Sequence, residues 1–210
     1  QDDAVIGVPT EGKDGGQYTW RSSLNYEGKD AHMKVATLVV GDGFQDDLGF
    51  YRRTDVRKGL LDAGLRPRAP WLTAHGIREL HPHITWSYYE DLSGRTIGKN
   101  LHSGQTFFFN DGSFTELSVN PRYEYLAKPF RLHRNDTTVA PIAAGGYAWS
   151  EWILKYTTDL SQPLSLAFTG TMGGLWTGTQ KTVNATLTWR PTYRFRVAST
   201  LQQSHIAHST

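Results

Sequence analysis

The sequence contains no cysteine, and this absence excludes several kinds of site at once. Without thiols the chain has no disulfides, no thiolate metal ligands and no cysteine nucleophile. Long hydrophobic runs are missing too, since no segment approaches the ~18 to 20 consecutive apolar residues of a membrane-spanning helix. If this chain crosses a membrane, it therefore does so with strands.

The chain also has no large excess of positive or negative charge, since it contains 22 Lys and Arg residues and 20 Asp and Glu residues, a net charge of +2. The signs are interspersed, so a nucleic-acid partner is not expected. The chain has no phosphate-binding glycine loop, and Ser150 beside Glu151 lacks the Gly-x-Ser-x-Gly frame of a nucleophile elbow. We expect no catalytic residues in this segment and no cofactor, and leave open the activity of a longer parent protein.

What the sequence does contain is strict alternation of apolar and polar residues. In residues 182–190, Val183, Ala185, Leu187 and Trp189 alternate with threonines, an asparagine and an arginine. This period of two predicts a strand with one apolar and one polar face. Roughly ten such segments of about nine residues occur, the length that crosses a hydrocarbon layer at a tilt. They are residues 18–26, 31–40, 71–80, 83–89, 95–109, 114–125, 147–157, 164–172, 182–190 and 193–201.

The pattern predicts an all-β fold, an antiparallel outer-membrane-type β-barrel present as a fragment. We expect a single β-barrel domain over residues 1–210, truncated at both ends, with short turns at 27–30 and 191–192 and longer connections at 131–141 and 173–181. A soluble β-sandwich with a solvated outer face is the alternative. In the barrel, the expected lipid-facing residues are Leu164, Leu166, Phe168, Val183, Leu187 and Trp189, and the expected lumen-facing residues are Thr169, Asn184, Thr186 and Thr188.

A charged stretch, residues 41–64, interrupts the alternation and is predicted to contain a loop or a short helical turn. Its arginines are suited to bidentate binding of a carboxylate or phosphate, so a ligand-binding loop or a plug is one interpretation. The near balance of signs favours the other, an ion-pair network that holds the loop to the lumen wall. The candidate ligand or plug residues are Asp46, Asp47, Arg52, Arg53, Asp55 and Arg57.

Histidines and carboxylates give weaker signals. His75, His81 and His83 lie close in sequence, but the sequence identifies no further ligand on a neighbouring strand, and Pro82 favours a strand end or turn. We therefore assign no metal site. Glu116 and Glu124 show no sign of the defined separation that a glycosidase pair requires, so we interpret them as carboxylates of the barrel wall.

The segment GDGFQDDLGFYRRTDVRKG, residues 41–59, adds a resemblance. It is similar to the barrel portion of a bacterial family catalogued as a domain of unknown function, the DUF5916 family. The core Gly-Phe-Tyr-Arg-Arg-Thr-Asp carries the resemblance, which extends more weakly through Leu65-Arg66-Pro67-Arg68 and the aromatic strands that follow. Members commonly carry an upstream carbohydrate-binding domain resembling family 9 modules. The resemblance implies location in a bacterial outer membrane, contact with outer-membrane lipid, and a tie to carbohydrate through a domain outside this chain.

Together these observations predict an internal fragment of an exported Gram-negative protein. Its expected role is that of an outer-membrane β-barrel acting as anchor or channel for a carbohydrate-engaging protein. The alternative is a soluble all-β carbohydrate-binding or glycoside hydrolase domain with an aromatic groove for sugar stacking.

Overall fold

The computed structural model describes residues 16–45, 53–131 and 140–208. These ranges form one antiparallel sheet of ten strands, in which each strand pairs with the next along the chain. No helix within them has the length and apolar character needed to cross a membrane. The strands are β1 (Thr19–Glu27), β2 (Ala31–Val40), β3 (Val56–Leu65), β4 (Ile77–Glu90), β5 (Thr96–Phe109), β6 (Phe114–Leu126), β7 (Gly145–Thr157), β8 (Leu164–Leu175), β9 (Gly178–Thr192) and β10 (Phe195–His208), with a short helix α1 (Pro70–Ala74) between β3 and β4.

The predicted all-β antiparallel fold is confirmed. Where the connection is short, as between β1 and β2 or between β5 and β6, the following strand pairs antiparallel because it is the nearest partner. The first and last strands, β1 and β10, do not pair with each other, so the sheet is not closed into a barrel within the described ranges.

The strand register gives the sheet two chemically distinct faces, because residues directly opposite each other in an antiparallel pair share a face. Leu166 of β8 lies opposite Leu187 of β9, and Thr169 lies opposite Asn184. The predicted division of β8 and β9 into an apolar and a polar side is therefore confirmed. The apolar face carries, from β2 to β10, Met33, Leu61, Trp86, Leu101, Leu117, Trp152, Phe168, Val183 and Leu201, and the polar face carries His32, Asp62, His83, His102, Glu116, Glu151, Thr169, Asn184 and Gln202.

Burial is inverted relative to a soluble sheet. On the apolar face Trp152 is 52% exposed and Leu187 48%, whereas on the polar face Ser118 is 2% exposed and Glu151 5%. In the described ranges no second layer of strands or helices covers either face, apart from α1 beside β4. Shielding without a covering layer means that the sheet curves, with its polar face on the concave side. Soluble β domains do the reverse and pack the apolar face into a core.

Two elements differ from the sequence prediction. The stretch 41–64 was predicted to contain a loop or a short helical turn, and a strand, β3, that was not predicted occupies its second part. The segment predicted as a strand at 71–80 begins within α1. The residues of β3 read Val-Arg-Lys-Gly-Leu-Leu-Asp-Ala-Gly-Leu, which lacks a clean period of two, and its pairing with β2 and β4 decides its conformation. Proline at its first position, where no backbone N–H is required, favours the start of α1.

The motif His81-Pro82-His83 lies inside β4 and not at the strand end or turn that proline indicated. Pairing between β3 and β4 ends at His83, which lies opposite Gly64. Pro82 therefore has no β3 residue opposite it, so its missing N–H removes no bond from that pairing.

Two connections near the C-terminal end differ from the prediction, one in length and one in position. Residues 173–181, predicted as a long connection, belong almost wholly to β8 and β9, which are joined by Trp176 and Thr177. The last turn, predicted at 191–192, lies at 193–194 because β9 extends to Thr192. The longest connections, residues 41–55 and 127–144, leave the same end of the sheet.

The β5–β6 turn contains an aspartate whose carboxylate is held by its neighbours. The hydroxyl of Ser113 donates to Asp111 Oδ1 at 2.6 Å and the Ser113 backbone N–H donates to it at 2.9 Å. These hydrogen bonds lower the pKa of Asp111 below its ordinary value, with the hydroxyl contributing most.

We expect Ser113→Ala to raise the pKa of the Asp111 carboxyl, because one donor to the charged form is removed. The ionised Asp111 carboxylate stabilises the folded turn. Its contribution to the free energy of unfolding is therefore present at neutral pH and is lost as the pH falls through the lowered pKa. Carbon-13 NMR of the aspartate carboxyl carbons measures the shift. Ser93→Ala, in the β4–β5 turn at the other end of the sheet, is the control and should leave Asp111 unchanged.

Candidate functional site on the polar face

The polar face brings together titratable and amide side chains that are far apart in sequence. They come from six neighbouring strands, β2 to β7. The strand register places them at similar heights along their strands, so they lie side by side across the sheet. We call His32, His81, His83 and His102 the histidine row; beside it lie Asp62, Glu116, Asn120 and Lys155.

The imidazoles of the histidine row contact one another across strands. Ring centroids are 5.2 Å apart for His32 and His81, 4.7 Å for His81 and His83, and 5.0 Å for His83 and His102. At one end of the row, His32 Nε2 lies 3.7 Å from the Asp62 carboxylate. The row therefore forms a continuous imidazole surface across β2, β4 and β5.

Glycines on the intervening strands make room for these rings. A Cβ on Gly104 would lie 2.7 Å from His83 Cε1 and 3.0 Å from His102 Nε2, and a Cβ on Gly64 would lie 2.7 Å from His81 Nε2. Such separations are shorter than real side chains tolerate. The rings thus lie over the β3 and β5 backbones, in space that is open only because Gly64 and Gly104 have no side chain.

Hydrogen bonds orient the two rings at the other end of the row. His83 Nδ1 lies 3.0 Å from the carbonyl oxygen of His81, and His102 Nδ1 lies 2.6 Å from Asn120 Oδ1. The two Nε2 atoms then face each other at 2.9 Å. Glu116 Oε1 is 3.7 Å from His102 Nε2 and accepts a hydrogen bond from Lys155 Nζ at 2.9 Å.

A second polar cluster lies further along the same face. The buried Glu151 carboxylate accepts hydrogen bonds from Trp149 Nε1 at 3.1 Å and Gln180 Nε2 at 2.9 Å, and its other oxygen is 3.4 Å from Arg122 Nε. Glu124 accepts a hydrogen bond from the indole of Trp176 at 2.9 Å. These contacts tie Glu151 to β6 and β9 and Glu124 to the β8–β9 turn, a structural role within the sheet.

The charged residues predicted from residues 41–64 do not form one network in the part of the chain that the structure describes. Asp46, Asp47 and Arg52 lie outside the described residues, and Arg53 is exposed. Asp55 accepts a hydrogen bond from the N–H of Leu92 at 3.1 Å, and Arg57 lies on β3 with Nη1 3.3 Å from Glu90 Oε1. Asp55 and Arg57 thus contact the β4–β5 hairpin instead of each other.

Sequence analysis missed His102, Asn120 and Lys155, and it found no further ligand beside His83. The structure supplies one, because the ligand atoms of His83, His102 and Glu116 all lie within 4.8 Å of one another. The available signal was the glycines Gly64 and Gly104 within strands, where a missing side chain marks a close approach. Which side chains approach these two glycines depends on which strands are neighbours and on their register.

Comparison with protein-family models, with curated proteins and with solved structures gives no match to this chain. The resemblance of residues 41–59 to the DUF5916 family therefore stays a prediction.

Proposed function

We propose that this chain forms part of the wall of an outer-membrane β-barrel that serves as a membrane anchor or channel. The observation that carries the proposal is the inverted burial of the sheet, with an exposed apolar face and a shielded polar face. An apolar surface that extends across ten strands is larger than soluble monomers leave in contact with water. Lipid on the apolar side and water on the polar side satisfy both faces.

Strand dimensions and aromatic residues agree with this arrangement. The strands contain between 9 and 15 residues, enough to cross a hydrocarbon layer at a tilt. Trp20 lies near the start of β1 and Trp189 near the end of β9, both on the apolar face and both about half exposed. Amphipathic rings at strand ends are typical of the interfacial girdles of such barrels.

The proposal requires partners for both edges of the sheet. The edge strands β1 and β10 present backbone N–H and C=O groups that the described residues do not pair. Unpaired backbone groups are not tolerated in the hydrocarbon region. In the membrane both edges are therefore paired, either with each other in a more tightly closed sheet or with further strands.

The wider role rests on the resemblance alone. It implies a Gram-negative outer membrane and an exported parent protein that engages carbohydrate through an upstream domain. The polar face of this chain, with its histidines, threonines and paired carboxylates, would then line the lumen of the barrel.

Tryptophan quenching by lipid tests the proposal with two residues of one strand. Trp152 and Trp149 both lie on β7, Trp152 on the apolar face and Trp149 on the polar face beside Glu151. Two variants, each keeping only one of these tryptophans with the others changed to phenylalanine, are refolded into vesicles whose acyl chains carry bromine. We expect strong quenching of Trp152 and weak quenching of Trp149.

Equal quenching of the two tryptophans would contradict a lipid-facing and a water-facing side. Failure to associate with vesicles, together with a folded monomer in detergent-free buffer, would favour the soluble carbohydrate-binding or glycoside hydrolase alternative. Unmodified protein run in parallel shows whether the phenylalanine substitutions themselves alter folding.

A further inference from the structure

We propose that His83, His102 and Glu116 bind a divalent transition-metal ion, Zn²⁺ or an ion of similar preference, on the polar face of the sheet. The ligands are two imidazole Nε2 atoms and one carboxylate oxygen. The proposal depends on the local geometry of β4, β5 and β6 and holds whether or not the sheet is part of a membrane barrel.

In a neutral imidazole only one ring nitrogen carries a proton, and the hydrogen bonds of these two rings place it on Nδ1. The partner of His83 Nδ1 is a backbone carbonyl oxygen, which only accepts, so Nδ1 carries the proton. With the Asn120 amide oriented as it is, its oxygen is the partner of His102 Nδ1, so the same assignment follows there, and its Nδ2 is buried without a hydrogen-bond partner among the described residues. In neutral rings the remaining nitrogens then present lone pairs, and they face each other at 2.9 Å.

A third acceptor converges on the same point. Glu116 is buried, and its Oε1 lies 3.7 Å from His102 Nε2. The two imidazole lone pairs facing each other at 2.9 Å repel unless a proton or a metal ion lies between them, and the Glu116 carboxylate adds negative charge beside that point. Two imidazole nitrogens and one carboxylate oxygen form a common ligand set for zinc, and they leave a fourth position for water.

Groups that do not bind the ion themselves hold the two imidazole ligands in place, as metal sites require. Hydrogen bonds from the Nδ1 atoms to a carbonyl and an amide oxygen fix the tautomer and the ring orientation. Gly104 leaves the space above β5 into which both Nε2 atoms project. Ser118 is 2% exposed and lies directly opposite Gly104. Its buried Oγ has no hydrogen-bond partner among the described residues, so one hydroxyl beside the ligands is free to form a hydrogen bond.

Lys155 is expected to weaken the binding of a metal ion at Glu116. Its ammonium group donates to Glu116 Oε1 at 2.9 Å and lies on β7, with a partly exposed side chain. A metal ion on Glu116 competes with this ammonium group for the same oxygen. Removing the positive charge of Lys155 is therefore predicted to tighten metal binding, an effect that a purely structural role for these residues does not produce.

The experiment uses the 210-residue chain purified without a polyhistidine tag, treated with chelator and titrated with zinc chloride by calorimetry, with Co²⁺ absorption as a second readout. We expect one zinc ion per chain. Loss of a direct ligand in His83→Ala or Glu116→Gln should weaken binding by about 100-fold or more, beyond the ~10 to 100-fold expected for Asn120→Ala, which removes only the hydrogen bond that orients His102. Lys155→Met should bind zinc more tightly than the unmodified protein.

His75→Ala is the matched control, because His75 follows α1 and bonds to the carbonyl oxygen of Trp71, away from the polar face. It should leave zinc binding unchanged. The proposal is overturned if the unmodified protein shows no saturable binding, if Glu116→Gln binds as tightly as the unmodified protein, or if His75→Ala removes binding. Imidazole nitrogen-15 spectra showing a proton shared by the two Nε2 atoms, unchanged by added zinc, would overturn it as well. Should His83→Ala fail to fold, Glu116→Gln and Lys155→Met still decide the question.

Discussion

Arginine in place of Val183 is expected to lower the free energy of unfolding in a lipid bilayer by ~2 to 4 kcal/mol, because a guanidinium near the midplane on the lipid side must leave water. Val183 lies near the middle of β9, on the apolar face, and is exposed. Urea titration of the refolded protein in phospholipid vesicles, followed by tryptophan fluorescence, measures the change.

The neighbouring residue provides the control. Asn184 is also exposed but lies on the polar face, opposite Thr169 of β8. Asn184→Arg should therefore change the free energy of unfolding little, since its side chain reaches water. Equal sensitivity at the two positions would argue against lipid on one side. A soluble sheet predicts a small effect for both, because charged residues are tolerated at exposed positions.

Gly173→Ala is expected to destabilise the sheet by about 3 kcal/mol, through backbone strain of ~1 to 3 kcal/mol and a steric contribution of similar size. Gly173 has a φ of 152°, a conformation that residues with a Cβ rarely adopt. A Cβ there would lie 2.7 Å from Glu151 Cα and closer still to the carbonyl oxygen of Ser150. Backbone atoms of β7 cannot rotate away as a side chain can, so the two strands must separate.

Gly59→Ala is the matched substitution for this experiment. Gly59 lies inside β3, and a Cβ added there meets nothing within 4 Å. With a compatible backbone the change should be neutral or stabilising by ~0.4 to 1 kcal/mol, since alanine restricts the unfolded chain. Both variants are compared by the same urea titration. If the two glycines respond alike, the close approach of β7 and β8 at Gly173 is not a constraint on the sheet.

The alternation of side chains was sufficient to predict most of the strands and both faces of β8 and β9. A period of two specifies a strand and a one-sided distribution of apolar residues whatever the neighbours are. The prediction failed at β3, whose glycines and adjacent leucines break the period, and at α1, where an aromatic segment was assigned to a strand. The count of ten strands was right only because β3 was missed while one strand too many was assigned between residues 71 and 89.

The charged stretch, residues 41–64, shows a second limit of prediction from sequence. Sequence reasoning grouped Asp55 and Arg57 because they are close along the chain, but each contacts the β4–β5 hairpin more than thirty residues away. Proximity in sequence is a poor guide inside a sheet, where the nearest side chains belong to the neighbouring strand.

The amino-acid sequence by itself determined that this chain forms strands with one apolar and one polar face, because that property depends only on the order of residues within each strand. Only the tertiary structure decided which polar groups meet. His83, His102 and Glu116 come from three strands, and their convergence depends on the register of β4 with β5 and of β5 with β6. A shift of one residue in either register would turn a ligand to the apolar face, and no local pattern encodes that choice.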